Sequence, residues 1–135
     1  MKLQGRSIYL GCADGEALVS QMGISFFGGV DPESGIVVER GHDLEGQSVS
    51  GKVLVFPTGK GSTVGSYTLY RLKKAGLAPS AIVNAECETI TAVGCIIAEI
   101  PCIDQVDVKL FCSGQPVRVN GDLGVVEFLT GEMER

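Results

Sequence analysis

Ser62 stands where strand-like residues give way to helix-like ones, behind Pro57-Thr58-Gly59-Lys60-Gly61 and ahead of Thr63. Glycines on both sides of Lys60 let the backbone approach a ligand closely and turn free amides toward an anion, and Lys60 adds a positive charge. A serine hydroxyl is a weak base, so proton abstraction needs amides or a cation that stabilise its alkoxide; this neighbourhood supplies both kinds of group. The competing reading makes Ser62 an N-cap whose hydroxyl accepts from an amide of the first helical turn. Residue type leaves both open. A nucleotide P-loop is excluded, because that motif needs Gly-Lys followed directly by Ser or Thr, whereas Gly61 intervenes and Leu54 fills the first glycine position.

Other polar residues have a functional and a structural reading each. Gly28, Gly29 and Asp31 line an active-site mouth in one, and end a strand in a turn closed by Asp31-Pro32 in the other. His42 is the only histidine, so no histidine cluster can hold a metal within this chain, and a lone histidine is more often structural. Asn84, Glu86 and Glu88 follow a strand at its carboxyl end, where ligand-facing groups gather, but solvated loop residues look the same. Cys87, Cys95 and Cys102 are eight and seven positions apart, which is no cluster-ligand spacing, and they read as small buried hydrophobes.

The elements that must position these groups follow from hydrophobic patterning. Ser7-Ile8-Tyr9-Leu10, Ala17-Leu18-Val19-Ser20, Ile24-Ser25-Phe26-Phe27 and Ile36-Val37-Val38-Glu39 are short strand-like runs set between turn residues. Lys52-Val53-Leu54-Val55-Phe56 is nearly continuous in apolar character, as expected of a central strand covered on both faces. From Ser62 the period lengthens: Val64, Thr68, Leu72 and Ala75 share a helical face, Arg71, Lys73 and Lys74 suit a helix C-terminus, and Gly76 is a stop. Ala81-Ile82-Val83 reads as another buried strand, while residues 90–100 fit a helix or a strand. Val117-Arg118-Val119 and Gly124-Val125-Val126-Glu127-Phe128 flank Asn120-Gly121, a hairpin signal. Many strands around one clear central helix predict a mixed α/β domain, a layered β/β/α barrel, spanning residues 1–135.

Composition narrows the classes of function. With 135 residues and 44% hydrophobic side chains the chain suits one core. Its formal charge of −5, without a basic block, repels polyphosphate, so nucleic acid is an unsuitable partner. No apolar run reaches membrane-spanning length and the first residues form no signal core, which predicts a cytoplasmic protein with no membrane association. Five cysteines at wide spacings fit a reducing compartment.

Three blocks carry a resemblance: Ser25-Phe26-Phe27-Gly28-Gly29-Val30-Asp31-Pro32-Glu33-Ser34-Gly35, then His42 with Leu44 and Gly46, then Gly51-Lys52-Val53-Leu54-Val55-Phe56-Pro57 running into Gly61-Ser62. On these, and over nearly its whole length, the chain resembles the aconitase X swivel-domain family. The resemblance implies a swivelling β/β/α small subunit that closes over a large catalytic subunit, whose own cysteines hold an iron-sulfur cluster of the 4Fe-4S kind, with no cluster in this chain. It implies that Ser62 accepts the proton while the cluster iron, a Lewis acid, helps expel a hydroxyl. Lys60, Gly61, Thr63, Gly28, Gly29 and Asp31 are then the substrate-binding candidates. The implied substrate is a small phosphorylated hydroxy acid, (R)-5-phosphomevalonate, dehydrated to trans-anhydromevalonate 5-phosphate in an archaeal mevalonate pathway. Alternatives are a cis-3-hydroxy-L-proline dehydratase subunit, a phosphohistidine-like carrier using His42, or a non-catalytic assembly subunit.

Overall fold

The computed structural model describes residues 2–60 and 64–129. Its strands are β1 (Lys2–Gln4), β2 (Arg6–Tyr9), β3 (Cys12–Val19), β4 (Val53–Phe56), β5 (Ala81–Asn84), β6 (Cys102–Asp104), β7 (Pro116–Asn120) and β8 (Val125–Phe128). A single turn α1 (Phe26–Gly29) and two helices, α2 (Gly65–Lys74) and α3 (Thr89–Ala98), complete the frame.

Every residue of β4 and β5 is buried, and alternation along them divides the interior in two. Val53, Val55, Ala81 and Val83 point into a core shared with Val117, Val119, Val126 and Phe128 of the β7–β8 hairpin. Leu54, Phe56 and Ile82 point the other way, against Leu69 and Leu72 of α2 and Cys95 and Ala98 of α3. Burying one such aliphatic or aromatic side chain is worth about 1.5–3 kcal/mol, so each face repays the ordering of the layer it covers. The result is hairpin layer, parallel layer, helical layer: the predicted β/β/α arrangement.

One strand joins the two sheet layers. The first part of β3 pairs antiparallel with β7, from Cys12 opposite Asn120 to Glu16 opposite Pro116. Its last residues pair parallel with β4, from Ala17 opposite Val53 to Val19 opposite Val55. The strand order is therefore β1-β8-β7-β3-β4-β5-β6-β2. No helix among the described residues is long and apolar enough to cross a membrane.

Three expectations need correcting. Residues 24–27 do not form a strand: Ile24 makes one bridge to Gly59, and the chain then coils into α1 as the Val30 amide reaches back to the Phe26 carbonyl, which buries Phe26. Residues 36–39 make only isolated bridges, because their neighbours are Val30 and Ser48 of the same excursion and not a sheet strand. The central helix begins at Gly65 with Val64 in the cap position, and its buried face is Gly65, Thr68, Leu69 and Leu72, leaving Val64 and Ala75 outside. The open segment 90–100 is mostly the helix α3.

Asp104 at the end of β6 has a fully buried carboxylate held by Arg6 of β2 at 2.9 Å and 2.7 Å and by the Cys87 amide at 2.9 Å. Burial alone pushes its pKa up, but the Arg6 hydrogen bonds, the Cys87 amide and the Arg6 charge prevail and hold it below the usual carboxylate range. A folded-state pKa below the unfolded one stabilises the fold above the unfolded value of about 4, and that contribution is lost as pH falls through the folded value. Asp104→Asn is expected to cost about 1–3 kcal/mol at neutral pH, because the Arg6 fork and the Cys87 amide lose charged acceptors. Urea titrations from pH 7 down should also show a shallower acid-side loss of stability in the variant than in the native chain.

Candidate active site

Beyond Phe56 the backbone is fastened on two sides before it reaches position 61. On one side Ile24 pairs with it: the Lys60 amide donates to the Ile24 carbonyl at 2.9 Å, and the Ile24 amide donates to the Thr58 carbonyl. On the other side stands the cap of α3. Glu88 accepts from the Ile90 amide at 2.9 Å, the Thr91 amide at 2.7 Å and the Thr91 hydroxyl at 2.7 Å, satisfying donors that a helix start leaves unpaired. Gly59 lies directly against this cap, where any Cβ would overlap Thr91 Oγ1 and Glu88 Oε1. The glycine is required by close approach to a protein side chain.

His42 secures the opposite flank. It is buried, its Nε2 lies 3.0 Å from the Gly23 carbonyl, and its Nδ1 accepts from the Leu44 amide at 3.1 Å, so the ring is assigned as the Nε2–H tautomer. Beside it Asp43 accepts from the Ser20 hydroxyl at 2.7 Å and the Gln21 amide at 2.8 Å. Residues 20–23 are thereby clamped, and they lead straight into Ile24. His42→Ala leaves the Leu44 amide and Gly23 carbonyl without these partners and should destabilise the fold by about 1–3 kcal/mol in chemical denaturation.

Lys60 opens onto a depression of about 300 Å³ that it shares with Ser25, Phe27, Gly28, Gly29 and Glu39. Gly28 has φ +82°, a left-handed conformation that lets the chain reverse at the rim of this depression. The two predicted groups, Lys60 and the Gly28-Gly29 pair, are thus brought together across 30 residues of intervening chain. Lys60 Nζ lies 3.1 Å from Glu39 Oε2, a partner that sequence reasoning missed. Asp31 is next door, with Gly28 and Arg71 in a cavity of about 350 Å³. Its carboxylate closes the predicted turn, accepting from the Glu33 amide at 3.1 Å and the Ser34 hydroxyl at 2.8 Å, and these bonds hold its pKa below the ordinary range. Gly61, Ser62 and Thr63 lie outside the described residues. Of the polar residues after β5, Asn84 is buried and donates to the Phe56 carbonyl, Glu86 is exposed, and Glu88 is the α3 cap described above.

The thiols do not fit an iron-sulfur cluster. Cys87 Sγ lies 3.9 Å from Cys102 Sγ, and the hydrogen bond between them, with burial, pushes the Cys87 thiol far up. Cys102 is raised as well: Cys87 opposes the shift, but hydrogen bonding with Cys95 and burial dominate. Cys95 and Cys102 are buried in the helical-layer core and Cys87 packs against it, which is the role of small core side chains. Among the described residues no group of His, Cys, Asp and Glu is arranged to hold a metal ion.

A β/β/α barrel that carries a glycine-rich junction from its central strand to the mouth of a shallow depression is the architecture of a swivel domain. The family model described as the aconitase X swivel domain matches residues 2–128, and the chain belongs to that family. It is 59% identical to the phosphomevalonate dehydratase small subunit of Thermococcus onnurineus, covering 94% of this chain and 98% of that one. It is 56% identical to the protein of the same name from Methanosarcina acetivorans, over 96% and 92% of the two chains. The crystal structure of Thermococcus kodakaraensis aconitase X in its holo form superposes with a TM-score of 0.94 at 56% identity, covering 96% of this chain and 98% of that chain.

Proposed function

We propose that residues 1–135 act as one swivel domain, the small subunit of a phosphomevalonate dehydratase, which converts (R)-5-phosphomevalonate to trans-anhydromevalonate 5-phosphate and water. Ser62 is the proton acceptor, taking a proton from the carbon between the substrate carboxylate and the carbon that bears the departing hydroxyl. Lys60, Gly61, Thr63, Gly28, Gly29 and, at the margin, Asp31 surround the anionic substrate. The observation that carries this reading is the placement of Lys60 beside Gly28 and Gly29, at the end of a backbone clamped by Ile24 and by the Glu88–Thr91 cap. A rigid approach of this kind is what presents a hydroxyl at a fixed distance from a reacting carbon. The substrate assignment draws its support from the small-subunit relatives at near full length.

Lys60 is available for an incoming anion. Its pair with Glu39 is exposed on the lysine side, and such a pair contributes only about 0–1 kcal/mol, so a substrate carboxylate or phosphate displaces Glu39 at little cost. Exchanging Glu39 for the substrate anion keeps the ammonium two positions before Ser62, where a positive charge favours the serine alkoxide. The cluster belongs, in this reading, to the large subunit. The carrier alternative finds no support around His42, whose ring is buried with both nitrogens engaged.

The test is to combine the purified chain with an iron-loaded large subunit and offer both (R)-5-phosphomevalonate and cis-3-hydroxy-L-proline. Dehydration of the phosphorylated acid alone is the expected result. Preference for the proline derivative would reassign the substrate. A phosphoramidate donor that labels His42 in the folded chain would favour the carrier.

A further inference from the structure

We propose that Asn84 is a positioning residue for the dehydration, the first member of a platform, residues 84–88, that fixes the backbone leading to the proton acceptor. This rests on the small-subunit reading with Ser62 as base, and adds a residue that acts on Ser62 only through that backbone.

Asn84 is the polar end of a strand whose other residues, Ala81, Ile82 and Val83, are apolar and buried. It is wholly buried itself and stands in register with Phe56 in the parallel β4–β5 pair. Its Nδ2 donates to the Phe56 carbonyl at 2.9 Å and faces the Val83 carbonyl at 3.4 Å, and two carbonyls on one side fix which end of the amide points there. Its Oδ1 is buried with no hydrogen-bond partner among the described residues. A valine here would continue the apolar strand. The Phe56 carbonyl would lose this donor, but the orphaned Oδ1 would vanish with it, so one unpaired acceptor replaces another. Stability therefore gives no reason for an asparagine at this position.

Position does give one. The Ala85 and Glu86 amides both donate to the Pro57 carbonyl at 3.0 Å, and Glu88 lies against Gly59. Residues 56, 57 and 59 are thus each met by a member of the platform, along the stretch that runs to Ser62. The platform is fastened in turn from the end of β6. Asp104 accepts from the Cys87 amide, and the Gln105 amide donates to the Ala85 carbonyl at 3.0 Å. Gln105 makes that bond at φ +64°, a left-handed conformation that a side chain disfavours. An orphaned acceptor and a left-handed glutamine both bear on this one segment. Local costs of this kind gather at functional sites, where a fixed geometry matters more than stability.

The test uses the reconstituted two-subunit enzyme with Asn84→Val and, because valine branches where asparagine does not, Asn84→Ala as a second variant. Thermal midpoint, binding to the large subunit, kcat and KM are measured for each, with the deuterium isotope effect for substrate labelled at the carbon that loses its proton. The expected result is a midpoint and binding close to native, with kcat lowered about tenfold and KM unchanged. The slowed turnover should carry a primary isotope effect, because a displaced base slows proton transfer. A residue that served the fold alone would lower the midpoint and leave kcat and the isotope effect of the folded enzyme as they were. That outcome, or variants that match the native chain throughout, overturns the positioning role and leaves the small-subunit reading standing. A native pair that dehydrates nothing overturns that reading, and the positioning role with it.

Discussion

Replacing Ser62 by alanine is expected to lower kcat of the reconstituted two-subunit enzyme by about 10²–10⁴, the contribution of a positioned general base. The substrate's carbon acid is weak, and alanine offers no group that can take its proton. KM should change little if, as proposed, Lys60 and its neighbours and not the hydroxyl hold the anionic ends of the substrate. An interaction made only in the transition state shows this signature, whereas a helix cap lost at the same position would lower the thermal midpoint and leave kcat nearly intact. Steady-state kinetics and thermal denaturation on the same preparation separate the two.

Gly59→Ala is expected to lower kcat by about 10²-fold, the cost of displacing a catalytic group by roughly an ångström. The added methyl cannot fit between the backbone and the Glu88–Thr91 cap, so either the loop rises or the cap opens. The loop is the softer of the two, since Glu88 and Thr91 are held by three hydrogen bonds at the start of a packed helix. A raised loop moves Lys60 and everything that follows it, without touching the core of β4. Far-ultraviolet circular dichroism should be unchanged and association with the large subunit retained, while turnover collapses. Full activity in this variant would mean that the clamp at Gly59 does not set the position of the proton acceptor.

The parts of the fold that could be read in advance are those whose burial leaves a local pattern. Residues 52–56 announced a strand covered on both faces because no position in β4 meets solvent, and the Asn120-Gly121 pair marked the hairpin bend. β1 and β6 were not legible, since three residues carry no period. Residues 24–27 and 36–39 have strand-like composition but no sheet edge to join, so tertiary neighbours overrode the propensity. Residues 90–100 were ambiguous because the run is apolar on nearly every side, and Ile96 and Ile97 stay exposed on α3.

The candidate site was legible to a similar degree. A glycine-rich junction after a buried strand pointed to residues 57–62, and Lys60 does lie beside Gly28 and Gly29. The reason for Gly59 differed from the expectation: a protein side chain, Thr91, makes the close approach there. Glu39 and Glu88 were missed or discounted because an acid that pairs across space, or caps a helix from an unusual residue type, leaves no spacing to detect. His42, in the recognisable block, is buried with its ring on the Gly23 carbonyl and the Leu44 amide, a clamp that no spacing in the sequence announces.

The most direct measurement follows (R)-5-phosphomevalonate in the presence of the large subunit alone, this chain alone, and the two together. Formation of trans-anhydromevalonate 5-phosphate only in the mixture, saturating as this chain is added up to its binding stoichiometry, is the predicted result. A large subunit that turns over at full rate without this chain, or a tight complex of the two that leaves the substrate untouched, would contradict it.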